Sequence, residues 1–152
     1  MDALSKIFDD IHLNKSEYIY LKPQGHWAYT YQEQDAMIGY VVLVGNLNIQ
    51  FESEKMLQLE AGDLILFPSG QNHICRSDHK ENLLEALPIH EFFTQKRQQT
   101  IEFGSDSGEP ALILAIRCHI DTIMARPLLN ALPNSIHIQH ITGSTAPEWL
   151  QI

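Results

Sequence analysis

Gly62-Asp63-Leu64-Ile65-Leu66-Phe67-Pro68-Ser69-Gly70-Gln71-Asn72-His73 is the most informative stretch of this 152-residue chain. A strand enters after a glycine turn and runs apolar from Leu64 to Phe67. It breaks at Pro68 and Gly70. Pro68 fixes its own φ and Gly70 can adopt φ > 0, so the pair specifies a tight reversal. The returning strand carries His73. Cys75 lies two residues further on and therefore shares the face of His73.

Outward from this hairpin the pattern is one of short strands. Tyr18, Tyr20 and Leu21 sit in a β-rich stretch that stops at Lys22-Pro23-Gln24-Gly25. Further strands are expected at 27–31, 37–44, 47–51, 56–59, 63–67 and 73–76. Turn chemistry at Gly45-Asn46, Glu60-Ala61-Gly62 and Pro68-Ser69-Gly70 separates them. Several short strands at such spacing predict a sandwich or barrel. Downstream, 80–87 reads as a helix ended by Pro88, 95–99 as polar and exposed, and 105–110 as a turn. The apolar run 111–120 is the clearest strand. Asp121 can cap a helix over 122–132, which Pro127 should kink. Strand returns at 135–141.

Both ends read as helical. Leu4, Ile7, Phe8 and Ile11 fall at helical spacing, with Asp9 and Asp10 on the wet side. Thr145-Ala146-Pro147-Glu148-Trp149-Leu150 reads as a helix start, with Pro147 in the first turn and Glu148 near the positive dipole end. Ile152 follows before a second turn, so the expectation is a sequence cut from a longer chain.

Composition narrows the function classes. The chain has 10 Lys plus Arg against 19 Asp plus Glu, a formal net charge of -9. A phosphate-gripping surface needs clustered cations, and the densest group here is Lys96-Arg97. No apolar run approaches the ~18 residues of a membrane-spanning helix. Met1-Asp2-Ala3 lacks the basic start of a secretory signal. Cys75 and Cys118 are too few for a disulfide scaffold, which fits a reduced, cytoplasmic setting. A chain of this length can bury roughly 70% of its unfolded surface, enough for one core.

The hairpin spacing is Gly, five residues, Pro, one, Gly, two, His. It resembles the second motif of the cupin barrels. The strand from Gly39 to Gly45, the lead-in Leu59 to Asp63, the N-terminal helix and Arg126-Pro127-Leu128-Leu129-Asn130-Ala131-Leu132-Pro133 extend the likeness over nearly the whole chain. Together they resemble the N-terminal sensor and dimerisation domain of AraC-type transcription regulators. The resemblance implies a mainly β fold, a jelly-roll barrel (double-stranded β-helix) with a few short helices. It implies a sensor domain over residues 1–144. Residues 145–152 then begin a linker helix toward a C-terminal helix-turn-helix domain lying outside this sequence. DNA contact would come only through that other domain.

Catalytic cupins hold a metal with two histidines and a carboxylate from the first motif and the histidine of the second. Here the first-motif strand, Met37 to Gly45, has neither His nor carboxylate. Related regulators often carry His where Tyr40 stands and Cys where Ala115 stands. One imidazole and a phenol make a poor metal site, so no cofactor is expected. An alternative set, His73, Cys75 and His119, has suitable ligand types; the plain reading is that the two cysteines are small core residues. His137 and His140 point to opposite faces, and His12, His79 and His90 read as surface residues. Glu52 and Glu54 share one strand face and read as a solvated edge. No nucleophile elbow or phosphate loop is present, so the chain reads as a non-enzyme.

The resemblance places a ligand inside the barrel. Tyr40, Val42 and Val44 share one face, His73 and Cys75 another, and Trp27 and Tyr29 a third. Trp27, Tyr29, Tyr40, Val42, His73 and Cys75 are the candidate ligand-binding residues, suited to a small, partly apolar effector. The same residues either line a cavity or fill the core. The expected function is effector sensing and homodimerisation; the alternatives are a metal-dependent cupin enzyme and a standalone small-molecule-binding cupin.

Overall fold

The structure is a computed structural model that describes residues 16–32, 36–53, 55–77, 86–93, 99–105, 108–119 and 131–139. The expected helices over the N-terminal residues and 145–152, residues 122–130 of the helix expected over 122–132, and the division at 144/145 lie outside these residues; Ala131 and Leu132 are in a turn and a bend rather than a helix. Among the described residues no helix is long and apolar enough to cross a membrane.

Alternation along β1 (Ser16–Gln24) puts Glu17, Ile19, Leu21 and Pro23 on a buried face. The chain continues through β2 (Ala28–Tyr31), β3 (Ala36–Val44), β4 (Asn46–Phe51), β5 (Met56–Glu60), β6 (Leu64–Phe67) and β7 (His73–Arg76). Then come β8 (Leu87–Pro88), β9 (Gln99–Gly104), β10 (Leu112–His119) and β11 (Ile136–Ile138). They form a six-stranded sheet in the order β11-β6-β3-β10-β1-β9 and a five-stranded sheet in the order β5-β4-β7-β2-β8. Most pairs are antiparallel; β1–β9 and β2–β8 are parallel. Strands β1 to β4 and β5 to β7 alternate between the sheets, whereas β4–β5, β7–β8 and β9–β11 follow each other within one; the two facing sheets are the layers of a jelly roll.

The main core lies between the two sheets. Ile19, Leu21, Ile38, Tyr40, Val42, Ile65, Phe67, Ile113 and Ala115 of the larger sheet meet Tyr29, Tyr31, Leu47, Ile49, Leu59 and Cys75 of the smaller. A second cluster, Met37, Val41, Leu64, Leu66, Leu114 and Cys118, occupies the opposite face of the larger sheet. Cys75 and Cys118 are both free thiols, one in each cluster.

Strand β1 does end, at Gln24, inside the expected stop from Lys22 to Gly25, the antiparallel register with β10 having already ended at Leu21 opposite Ile113. The Pro23 carbonyl still accepts from the Ala111 N–H at 2.9 Å. Several sequence expectations need correction. Leu87 is not helical but pairs with Tyr29 as strand; most of 80–87 lies outside the described residues. Gln99 is not an exposed loop residue but the half-buried start of β9. Glu52 lies in the turn after β4 rather than on a strand face, and Glu54 lies outside the described residues. The register slips between Leu112 and Ile113, opposite Val42 and Val44. That bulge turns Val44 outward, 48% exposed, so it leaves the face of Tyr40 and Val42.

Candidate functional site inside the barrel

The hairpin forms as its residues dictate. Gly70 adopts φ 63° and its N–H donates to the Phe67 carbonyl at 3.1 Å. This reversal carries the chain from β6 in one sheet to β7 in the other. His73 is thereby aimed into the interior, opposite Tyr31 and Phe51.

There His73 meets Tyr40, which faces inward from the middle of β3. The Tyr40 hydroxyl lies 2.6 Å from His73 Nε2. His73 Nδ1 lies 2.6 Å from the Gln71 carbonyl. A carbonyl only accepts, so Nδ1 carries the ring proton and Nε2 accepts from the Tyr40 hydroxyl. The imidazole stacks on Phe67 with centroids 3.9 Å apart, and on Tyr31 at 5.7 Å. Only 3% of His73 is exposed. Burial pushes its proton affinity down to about 4, against a smaller opposing effect of the Gln71 bond. The dyad is thus a neutral imidazole held by a neutral phenol.

The other predicted residues surround it. Cys75 is paired in register with Tyr29 and Ile49 and wholly buried. Burial raises its thiol far above the usual range. Burial, with Cys75 as the next cause, likewise raises Tyr29 and Tyr40. Trp27 sits just before β2, yet its ring stacks on Tyr29 at 6.0 Å and 8°. Tyr29 in turn meets Tyr40 edge-on at 5.5 Å. Val42 is fully buried in the same cluster. Trp27, Tyr29, Tyr40, Val42 and Cys75 are thus buried together in one cluster.

The alternative metal set is not assembled. His119 pairs with Ala36, four residues along the strand from Ala115, which pairs with Tyr40. That is about 13 Å at roughly 3.3 Å per residue. His119 Nε2 instead bonds Glu17 Oε1 at 2.7 Å. Among the described residues no three His, Cys, Asp or Glu side chains are grouped to hold a metal. Nor is His90 a surface residue: its ring packs edge-on against Tyr31, and Nδ1 is buried.

Sequence reasoning missed the cluster that His119 belongs to. Arg117 Nε and Nη2 both donate to Glu17 Oε1, at 3.2 and 2.8 Å. The guanidinium also lies 4.7 Å from the Phe93 ring centroid. Burial pushes the Glu17 carboxyl up, but the hydrogen bonds and charges of Arg117 and His119 together outweigh it and hold it below its ordinary value. Arg117 and His119 share a face by parity alone. Glu17, a hundred residues earlier, joins them only through the β1–β10 register.

The family profile described as Cupin matches residues 2–151. All 152 residues align at 47% identity with the HTH-type transcriptional regulator AlkR of Acinetobacter baylyi, and the chain spans 50% of the length of that relative. Among solved structures, YhaK from Escherichia coli matches with a TM-score of 0.47 at 10% identity, over 84% of this chain and 42% of YhaK. Wild-type ToxT from Vibrio cholerae, bound to an unsaturated fatty acid, matches with a TM-score of 0.43 at 9% identity, over 82% of this chain and 40% of ToxT. The barrel, its glycine–proline hairpin, the family profile and the AlkR alignment establish that the chain belongs to the cupin family and is similar along its whole length to half of an AraC-type transcription regulator.

Proposed function

We propose that this chain is the effector-sensing and dimerisation domain of an AraC-type transcription regulator acting in the cytoplasm. The single observation that carries the reading is the 47% identity with AlkR along all 152 residues. Burial holds the Cys75 thiol protonated at neutral pH, which counts against its use as a nucleophile.

In this mechanism a small effector binds two arrangements of the domain unequally and shifts their populations. Pairing of two copies supplies the symmetry that two DNA half-sites require. The chain itself, at net charge -9, makes no phosphate contacts; DNA contact belongs to another domain.

The test is a chimera in which this chain replaces the half of AlkR that it matches. A folded chimera that drives a reporter in response to one member of a panel of sugars, aromatic acids and fatty acids supports the reading. A folded chimera that neither dimerises nor changes transcription with any of them refutes it.

A further inference from the structure

The segment from Leu87 to Phe93 lies at the His73 end of the barrel. Glu17, Arg117, Ile38 and Phe67 form one cross-strand row of the larger sheet. Phe67 stacks on His73, which is paired with Tyr31 in the smaller sheet. Against this end the segment sets three side chains. Ile89 is wholly buried and Phe93 is 7% exposed, and both belong to the main core. The His90 ring stands edge-on to Tyr31 at 6.2 Å. The Arg117 guanidinium, itself bonded to Glu17, lies over the Phe93 ring at 4.7 Å.

The backbone ties of the segment are slight by comparison. Strand β8 has two residues and, among the described residues, pairs only with β2. Pro88 has no N–H to give to that ladder. The short helical turn Ile89–Glu91 has no side-chain cap and closes with a bond from the Phe92 N–H to the Ile89 carbonyl at 3.0 Å. His90 adds a cost to the closed state. Its Nδ1 is buried with no hydrogen-bond partner among the described residues, a deficit that water relieves on opening. A segment held by a few side chains and hardly at all by a ladder is the kind that opens below the global unfolding free energy.

We propose that Leu87–Phe93 is a strap that opens while the rest of the barrel stays folded. The Phe93 ring under Arg117 is its latch, and its opening is the way into the layer of Tyr31 and His73. The strap stands apart from the sensor reading above, since it is a property of the barrel; within that reading it is the effector's door.

The test is thiol labelling of the full 152-residue chain in a Cys118→Ala background. An aromatic disulfide reagent is used at pH 8, with urea raised to just below the unfolding transition. Ile89→Cys puts a thiol in the strap, Tyr31→Cys puts one beneath it, and Cys75 reports a deeper layer. Local opening exposes little surface, so its rate barely changes with urea, whereas labelling through global unfolding climbs steeply. Both introduced thiols are expected to label by the flat route and Cys75 only by the steep one. Phe93→Ala should speed the flat route at least about tenfold by removing a buried ring. Phe93→Leu, which keeps apolar bulk but loses the ring under Arg117, should speed it about threefold.

Labelling of the Ile89→Cys thiol that climbs with urea in step with Cys75 overturns the proposal. So does a flat route that never reaches the Tyr31→Cys thiol. A Phe93→Leu variant as slow as its parent overturns the latch. Either cysteine substitution can itself loosen the strap or prevent folding, so hydrogen exchange on the unsubstituted chain is the second measurement. The Phe92 amide should exchange at least about a hundredfold faster than amides in the middle of β10, at a rate flat in urea. Exchange in step with β10 overturns the strap whatever the labelling shows.

Discussion

Acid should destabilise this barrel first through His73. Its proton affinity falls from an ordinary 6.5 to about 4 on folding, because burial disfavours the imidazolium. Above pH 6.5 both folded and unfolded chains carry a neutral ring, and stability does not depend on it. Between 6.5 and about 4 the unfolded chain binds a proton that the folded one refuses. Stability then drops by up to about 1.36 kcal/mol per pH unit. The full effect is about 3 kcal/mol, levelling off once the folded ring protonates. Glu17, held below its ordinary 4.5, adds its own acid loss only further down, so pH 4.5–6.5 reports mainly on the imidazole. The assay is urea unfolding followed by fluorescence at several pH values, for the wild type and His73→Leu. Subtracting the two curves cancels the other seven histidines. The wild-type advantage should shrink by about 3 kcal/mol between pH 7 and pH 4, roughly 6–12 °C in Tm. A pH-independent difference refutes the reasoning. So does NMR evidence that Nε2 rather than Nδ1 carries the proton.

Four further outcomes follow from the geometry. Tyr40→Phe strands the buried His73 Nε2 without a donor and should lower unfolding stability by about 1–3 kcal/mol; a urea melt equal to wild type would refute this. Arg117→Met leaves the buried Glu17 carboxylate with His119 alone and should remove about 3–5 kcal/mol near neutral pH, a deficit that narrows in acid where Glu17 can take a proton. Neither thiol should react with an aromatic disulfide reagent at pH 8 without denaturant, since burial raises Cys118 to about 11 and Cys75 further; one fast equivalent in native protein would contradict this. Gly104→Ala should destabilise by about 1–3 kcal/mol through its φ of 103° alone, and by more because the new Cβ would run into the Gln24 carbonyl oxygen; a melting temperature equal to wild type would refute the close approach.

The hairpin from Gly62 to His73 was legible because local chemistry specifies it. Pro68 and Gly70 restrict their own backbones, and alternation assigns the faces of His73 and Cys75. The same locality made β7 readable residue for residue and β10 nearly so. Strand β9 was not legible. Gln99 to Gly104 has a polar approach and carries only two large apolar residues, Ile101 and Phe103; it pairs as a strand with the parallel edge that β1 offers. Val44 was misplaced for a related reason: a bulge resets the parity of everything after it, and only the opposing strand reveals where the slip occurs.

What the residues determined alone was the class of fold, the turn that aims His73 inward, and the poverty of metal ligands on the Met37–Gly45 strand. Each depends on spacing within one segment, where backbone geometry converts sequence distance directly into direction. What only the tertiary structure decided was partnership. Tyr40 and His73 are 33 residues apart, Glu17 and Arg117 a hundred, and Tyr29 and Phe103 lie on different sheets. Which side chains meet across a barrel follows from strand order and register. Those are settled by packing the two apolar faces together, a property of the whole chain that no short stretch contains.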